Sequence, residues 1–178
     1  CVPSLAIAQE STAPDSNKKE FLGLRFGVGL SLTIDVGEDD RVESASVING
    51  IVRVENENNA VARVMLESHY FFRPKDPFPW FGVDPANWGH GPFVALQPGT
   101  NEIIEAVAIG WMWGFRRGDG QNATTDSWNI GIGMVVDPNV QVLGEGLAPN
   151  KPLPAGETQI RYKEEDQYGV LILTSFSF

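Results

Sequence analysis

The chain has 178 residues and a formal charge of −10, with 19 glycines, 12 prolines and a single cysteine. The length suits one domain with a sizeable core, and the Gly and Pro content argues against a helical bundle. The acidic balance argues against a nucleic-acid partner, and one cysteine excludes both an intramolecular disulfide and a thiolate zinc cluster.

Residues 1–8 end in Leu5-Ala6-Ile7-Ala8 before Gln9. Small residues at 6 and 8 fit a signal-peptidase site, with an apolar stretch in front of it. A lipid-modified Cys1 is the alternative use of this end. Residues 9–20 are polar and turn-rich, so 1–20 is expected to be a signal-peptide remnant and flexible leader, and 21–178 one domain. No apolar run reaches the length of a membrane helix.

From residue 21 onward the pattern has period two. In 21–35, Leu22, Leu24, Phe26, Val28, Leu30, Leu32 and Ile34 alternate with Gly23, Arg25, Gly27, Gly29, Ser31, Thr33 and Asp35. Such alternation predicts a strand and is incompatible with a helix. Similar patterns predict strands over 47–55, 61–72, 103–116, 127–137 and 167–178, with shorter candidates at 93–97 and 140–143. The expected fold is therefore all-β: an antiparallel up-and-down barrel of about eight strands, transmembrane. Short turns (ENENN, PGTN and Asp137-Pro138-Asn139) are expected at one end, and long loops (73–92, the segment after Phe115, and 144–166) at the other.

The polar face is rich in Gly, Ala and Ser, which suits the inside of a narrow barrel, where small residues make room for large ones. The apolar face carries no charge in the central part of any strong strand, as a lipid-facing surface requires. Tyr70, Phe72, Trp113, Phe115, Trp128, Phe176 and Phe178 fall near strand ends, where interfacial aromatics belong. The chain closes on Phe176-Ser177-Phe178 after an alternating strand beginning Tyr168-Gly169. This resembles the C-terminal assembly signal of bacterial outer-membrane β-barrel proteins. The resemblance implies an outer-membrane location, contact with lipid and lipopolysaccharide, and delivery by the barrel-assembly machinery.

Two groups of residues stand out as candidate sites. Arg25, Arg53, Glu55, Arg63, Glu67 and His69 share the polar face and are expected to form an ion-paired network inside the barrel, since buried charges persist only when paired. A polar ion pathway and a catalytic His–Glu pair are the sharper alternatives. The pair lacks a serine in reach, because Ser68 belongs to the other face. The loop 73–92 carries Phe78, Trp80, Phe81 and Trp88 among prolines, a candidate binding platform for glycan, lipid or protein, or a cover for the barrel mouth. His90 sits between two glycines, and two histidines without metal-ligand spacing predict no metal and no cofactor. The acidic runs 38–40 and 164–166 are expected in solvated loops, with bridging of divalent cations to lipopolysaccharide as the alternative.

The expected function is that of a small outer-membrane barrel with a structural, binding or narrow-channel, porin-like role, no enzyme, with a homo-oligomer as one way to enlarge the pore. A secreted or periplasmic soluble barrel or sandwich that binds an apolar ligand or a sugar is the second expectation. It places Val107, Ile109 and Trp111 in a core. A lipid-modifying membrane enzyme is the third.

Overall fold

The computed structural model describes residues 22–37, 41–57, 60–99, 103–117 and 125–178, with the side chains of 56 and 57 excepted. The expected leader 1–20 and the acidic run 38–40 lie outside these residues. Eight strands follow in order: β1 Gly23–Asp35, β2 Val42–Ile48, β3 Ile51–Glu57, β4 Ala60–Phe71, β5 Trp88–Pro98, β6 Ile104–Arg116, β7 Ser127–Leu143 and β8 Tyr162–Ser177. Six of them close an antiparallel barrel in the order β1-β4-β5-β6-β7-β8, and β8 returns to pair with β1. β2 and β3 form a separate hairpin.

The barrel thus has six strands where about eight were expected, and both differences have a local cause. The alternation over 47–55 runs straight through a tight turn. Asn49 (φ 53°) and Gly50 (φ 74°) both adopt left-handed backbone, the geometry of an Asn-Gly hairpin. Val47↔Val52 and Ile48↔Ile51 face each other across it. The expected turn at Asp137-Pro138-Asn139 is instead a register shift within β7, which runs on from Asp137 to Val140 against β8. A proline lacks an N–H and is tolerated at such an irregularity.

The distribution of connections changes accordingly. One end, the lower rim, carries the β2–β3 hairpin, the turn between β5 and β6, and the segment 144–161. The opposite upper rim carries the loop 72–87 and the β6–β7 connection. The expected separation of short turns from long loops holds for ENENN and PGTN against the connections after β4 and β6, and fails for 144–161, which lies at the end of the short turns.

The register fixes the dimensions. Passing across the ladder from Gly27 to Glu67, Ala95, Ala108, Val135 and Gly169 returns to β1 at Asp35, a stagger of eight residues. With 3.3 Å per residue and 4.8 Å between strands, six strands with that stagger tilt by about 43° and enclose a backbone radius of about 6.5 Å. So narrow a lumen is filled by side chains. Met65, Phe93, Met112, Leu171 and Leu173 are buried in it with Ala95, Ala106, Ala108 and Val135, and Phe71 joins the same cluster from the end of β4. The ring of Phe93 fits because Gly110 and Gly131 face it: a Cβ at either would lie 2.7 or 2.9 Å from Phe93 Cε1. Leu171 and Leu173 depart from the small-residue rule of the inner face because they complete this apolar plug.

The apolar face of every barrel strand points outward. Leu24, Phe26, Val28, Leu30, Leu32 and Ile34 on β1, Val64 and Leu66 on β4, Val107, Ile109 and Trp111 on β6, and Val170 and Ile172 on β8 are all exposed. From Leu24 to Ile34 this belt spans ten residue steps, or about 24 Å of barrel height at the tilt above. No helix among the described residues is long and apolar enough to cross a membrane.

A second, smaller apolar cluster lies beyond the lower rim. Val42 and Val52 of the hairpin bury against Leu143, with Ala45, Val54, Leu147, Leu153 and Ile160 around them. The hairpin is tied to the following segments by Tyr162 Oη, which accepts from Ala45 N (3.0 Å), and by Gln141 Nε2, which donates to Val42 O (3.0 Å).

Candidate functional site

Polar side chains meet in two layers of the lumen, above and below the apolar plug. The upper layer centres on Glu67, which β4 turns inward opposite Gly27. A Cβ on Gly27 would lie 2.3 Å from Glu67 Oε1, so the glycine is what admits the carboxylate. His69 Nδ1 lies 2.8 Å from Glu67 Oε2, and Ser175 Oγ donates to Oε1 at 2.9 Å. Asn129 Nδ2 donates to Ser175 Oγ at 3.1 Å and lies 3.5 Å from Glu67 Oε1. Ser127 Oγ joins through Asn129 Oδ1 (2.7 Å) and Ser177 Oγ (2.6 Å). Phe71 stacks on the His69 ring with centroids 4.0 Å apart. Glu67, His69, Asn129 and Ser175 are all buried.

This cluster has the residue types of a hydrolase and the wrong order. In a Ser–His–acid relay the imidazole lies between hydroxyl and carboxylate and takes the serine proton. Here the carboxylate lies between them. Ser175 donates directly to Glu67, and His69 Nε2 is buried with no partner. The imidazole is thus not interposed between hydroxyl and carboxylate, and Glu67 is the group that joins His69 to Ser175.

The lower layer is built on Asp137. Its Oδ2 accepts from Arg63 Nη2 at 2.6 Å and from Arg41 Nη2 at 2.9 Å. Arg41 Nε in turn donates to Asp35 at 3.2 Å. Gln97 donates to Glu105 close by. A cleft of about 390 Å³ opens here, lined by Arg41, Val61, Arg63, Gln97, Glu105, Asp137, Asn139 and Glu164. The apolar plug separates it from the Glu67 layer.

The six residues expected to share one network are therefore divided. Arg63, Glu67 and His69 point into the lumen but belong to different layers. Arg25 lies at the upper rim, with Nη2 donating to Thr125 O at 3.3 Å. Arg53 and Glu55 are not in the barrel at all: they lie on β3 of the hairpin, where Arg53 Nη1 donates to Asn150 Oδ1 (2.5 Å). Their alternation with apolar residues arises in the hairpin, not in a barrel wall. Asp137, Asn129, Ser127, Ser175 and Arg41 were missed. The first four occupy inward positions of their strands, a signal that the alternation already carried. Arg41 precedes β2, outside any barrel strand.

The aromatic loop has a defined shape. Phe78 is buried at its centre, edge-on to Trp88 (5.0 Å), Phe115 (5.1 Å) and Trp80 (5.9 Å) and stacked with Phe81 (6.1 Å). Phe78 N–H donates to Val83 O, and Gly82 N–H donates back to Phe78 O, both at 2.9 Å. Gly82 adopts φ +61°, which a side chain would strain. Asp84 Oδ1 accepts from Ala86 N–H at 2.7 Å. The four residues of the expected platform do come together, but the loop does not cover the mouth. Trp88 and Phe115 face outward from β5 and β6, so Phe78 seats the loop against the outer wall. Leu22 and Phe71 pack at the upper end of the lumen instead, both within 3.1 Å of the Cβ position of Gly89.

Among the described residues no group of three or more His, Cys, Asp or Glu side chains is placed to hold a metal ion. Comparison of the chain with protein-family models, with curated proteins and with solved structures finds no match.

Proposed function

We propose that this chain is a small β-barrel of a bacterial outer membrane with a structural or binding role. One observation carries the proposal: a closed barrel holds its charged and polar side chains in the lumen and presents an uncharged apolar belt about 24 Å high on the outside. An outward apolar band of about 25 Å is what a membrane-spanning barrel needs. In water the same belt would be far larger than the few hundred Å² of contiguous apolar surface that soluble monomers tolerate. The last strand, β8, pairs with β1 and completes the barrel, so the belt runs around the ring without a break.

The alternative of a soluble barrel requires Val107, Ile109 and Trp111 to lie in a core, and all three are exposed. A porin-like channel requires an open lumen, and the plug of Phe93, Met65, Met112, Leu171 and Leu173 fills it. A lipid-modifying enzyme built on a Ser–His–acid relay requires His69 between Ser175 and the carboxylate, and Glu67 occupies that place instead. A structural role, or binding at the rims and outer surface, is the reading compatible with all three. Lipid and lipopolysaccharide are its partners, and the assembly machinery its route of insertion.

The test is membrane fractionation of cells expressing the full-length gene, with the band run heated and unheated. Recovery in the outer membrane with faster migration of the unheated band is expected. A soluble periplasmic protein whose mobility is indifferent to heating refutes the proposal.

A further inference from the structure

The loop 72–87 leaves β4 at the upper rim and folds back along the outside of the barrel. Its anchor, Phe78, packs on the outward-facing Trp88 and Phe115. A continuous run of rings joins this anchor to the belt: Trp88 meets His90 at 5.6 Å, His90 meets Trp111 at 5.7 Å, and Trp111 stacks on Phe72 at 6.3 Å. Beyond the anchor the loop holds out two further rings, with Trp80 82% exposed and Phe81 77% exposed. The turn that displays them is fixed by the paired Phe78–Val83 and Gly82–Phe78 hydrogen bonds. Pro77 and Pro79 limit the freedom lost in holding it.

We propose that this loop is a lipid-interface anchor, with Trp80 and Phe81 seated at the boundary between headgroups and acyl chains. The proposal rests on the membrane reading above. The occupant is identified by continuity: the rings extend the apolar belt past the strand ends, to the depth where amphipathic indole and phenyl rings are favoured. Arg73, Lys75 and the acidic Asp76 open the loop at this rim. A soluble glycan would be gripped between rings and polar side chains. Here the rings stand proud of the surface, and Asp84 is turned to the loop's own Ala86 N–H.

The experiment uses the full chain with Cys1→Ser and one new cysteine, labelled with an environment-sensitive fluorophore. The protein is folded into phosphatidylethanolamine–phosphatidylglycerol vesicles containing lipids with a nitroxide quencher near the headgroup or near the chain end. Trp80→Cys and Phe81→Cys are labelled separately, so each retains the other ring, and Ile109→Cys reports the middle of the belt. The expected result is strongest quenching at 80 and 81 by the shallow quencher and at 109 by the deep one. Quenching at 109 with none at 80 or 81 overturns the anchor and leaves the membrane barrel standing. Release of 80 and 81 from quenching by a soluble oligosaccharide overturns it in favour of a glycan platform. Absence of quenching at all three positions removes the membrane reading and the anchor with it.

Discussion

Leu24 and Ile109 offer a controlled comparison, because both are 63% exposed on the outer face. Leu24 lies at the upper rim, one residue into β1, whereas Ile109 lies next to the midpoint of β6. In water, equal exposure predicts equal and small effects of substitution by lysine, within about 0.5 kcal/mol. In a bilayer the cost depends on depth: about 2–4 kcal/mol at mid-depth and about 0–1 near the interface. Ile109→Lys should therefore lower the folded-to-unfolded ratio by about 30- to 700-fold, at about 1.4 kcal/mol per decade, while Leu24→Lys changes it little. The assay is urea titration of the protein in vesicles, with the folded fraction read from unheated gel mobility. Midpoints giving the same stability for both variants would refute the outward-facing lipid belt, whatever the fold.

Glu67→Ala should destabilise by at least about 1–3 kcal/mol in the same titration, because His69, Ser175 and Asn129 lose their common acceptor in the lumen; a loss below about 0.5 kcal/mol would contradict the buried network. Asp137→Ala should cost more than Arg63→Met, since the first strands two arginines and the second leaves the Arg41–Asp137 pair intact; the reverse order would count against that geometry. Gly114→Ala places a methyl 2.1 Å from Phe71 Cε2 and 2.7 Å from Asn129 Oδ1, and should cost about 1–3 kcal/mol. Phe71→Leu should recover part of that loss, visible as non-additivity in a double-mutant cycle, and strict additivity would refute the contact. Planar-bilayer recordings of the purified protein should give no single-channel steps, because the lumen is plugged; discrete conductance would require a different interior.

Much of this architecture was legible in the period-two pattern. The outward face of β1, β4, β6 and β8 follows directly from alternation, since a strand has only two faces. The strand count was not legible, because alternation is indifferent to a two-residue turn. Ile48 and Val52 keep the same phase on either side of Asn49-Gly50, although the Asn-Gly pair itself was a turn signal. Conversely, Asp137-Pro138-Asn139 has turn composition but lies within β7. Residues 88–92 of β5 read as loop because of two glycines and a proline. Gly91 is required there, since a Cβ would fall 1.9 Å from Tyr70 O of the neighbouring strand. The Glu67–His69 pairing was visible as spacing within one strand. Its extension to Ser175 and Asn129 depended on which strands become neighbours, and that depends on the count. The position of the aromatic loop on the outer wall depended on the same three-dimensional neighbours.

The pairing of β1 with β8 gives the molecule a seam. Gly27 meets Ser177 there, across nearly the whole chain. The ladders from β4 to β8 join consecutive strands, and β1 reaches β4 across the hairpin, so each can form as a local step. Ring closure across the seam is different: bringing segments about 150 residues apart together costs about 4–5 kcal/mol of chain entropy if made first, and much less if made last. Until it is made, the sheet has two raw edges, and afterwards it has none. The ladder closes as a ring, and no subset of its strands reproduces that edgeless state. Folding should accordingly be all-or-none, with the meeting of β1 and β8 as its final event.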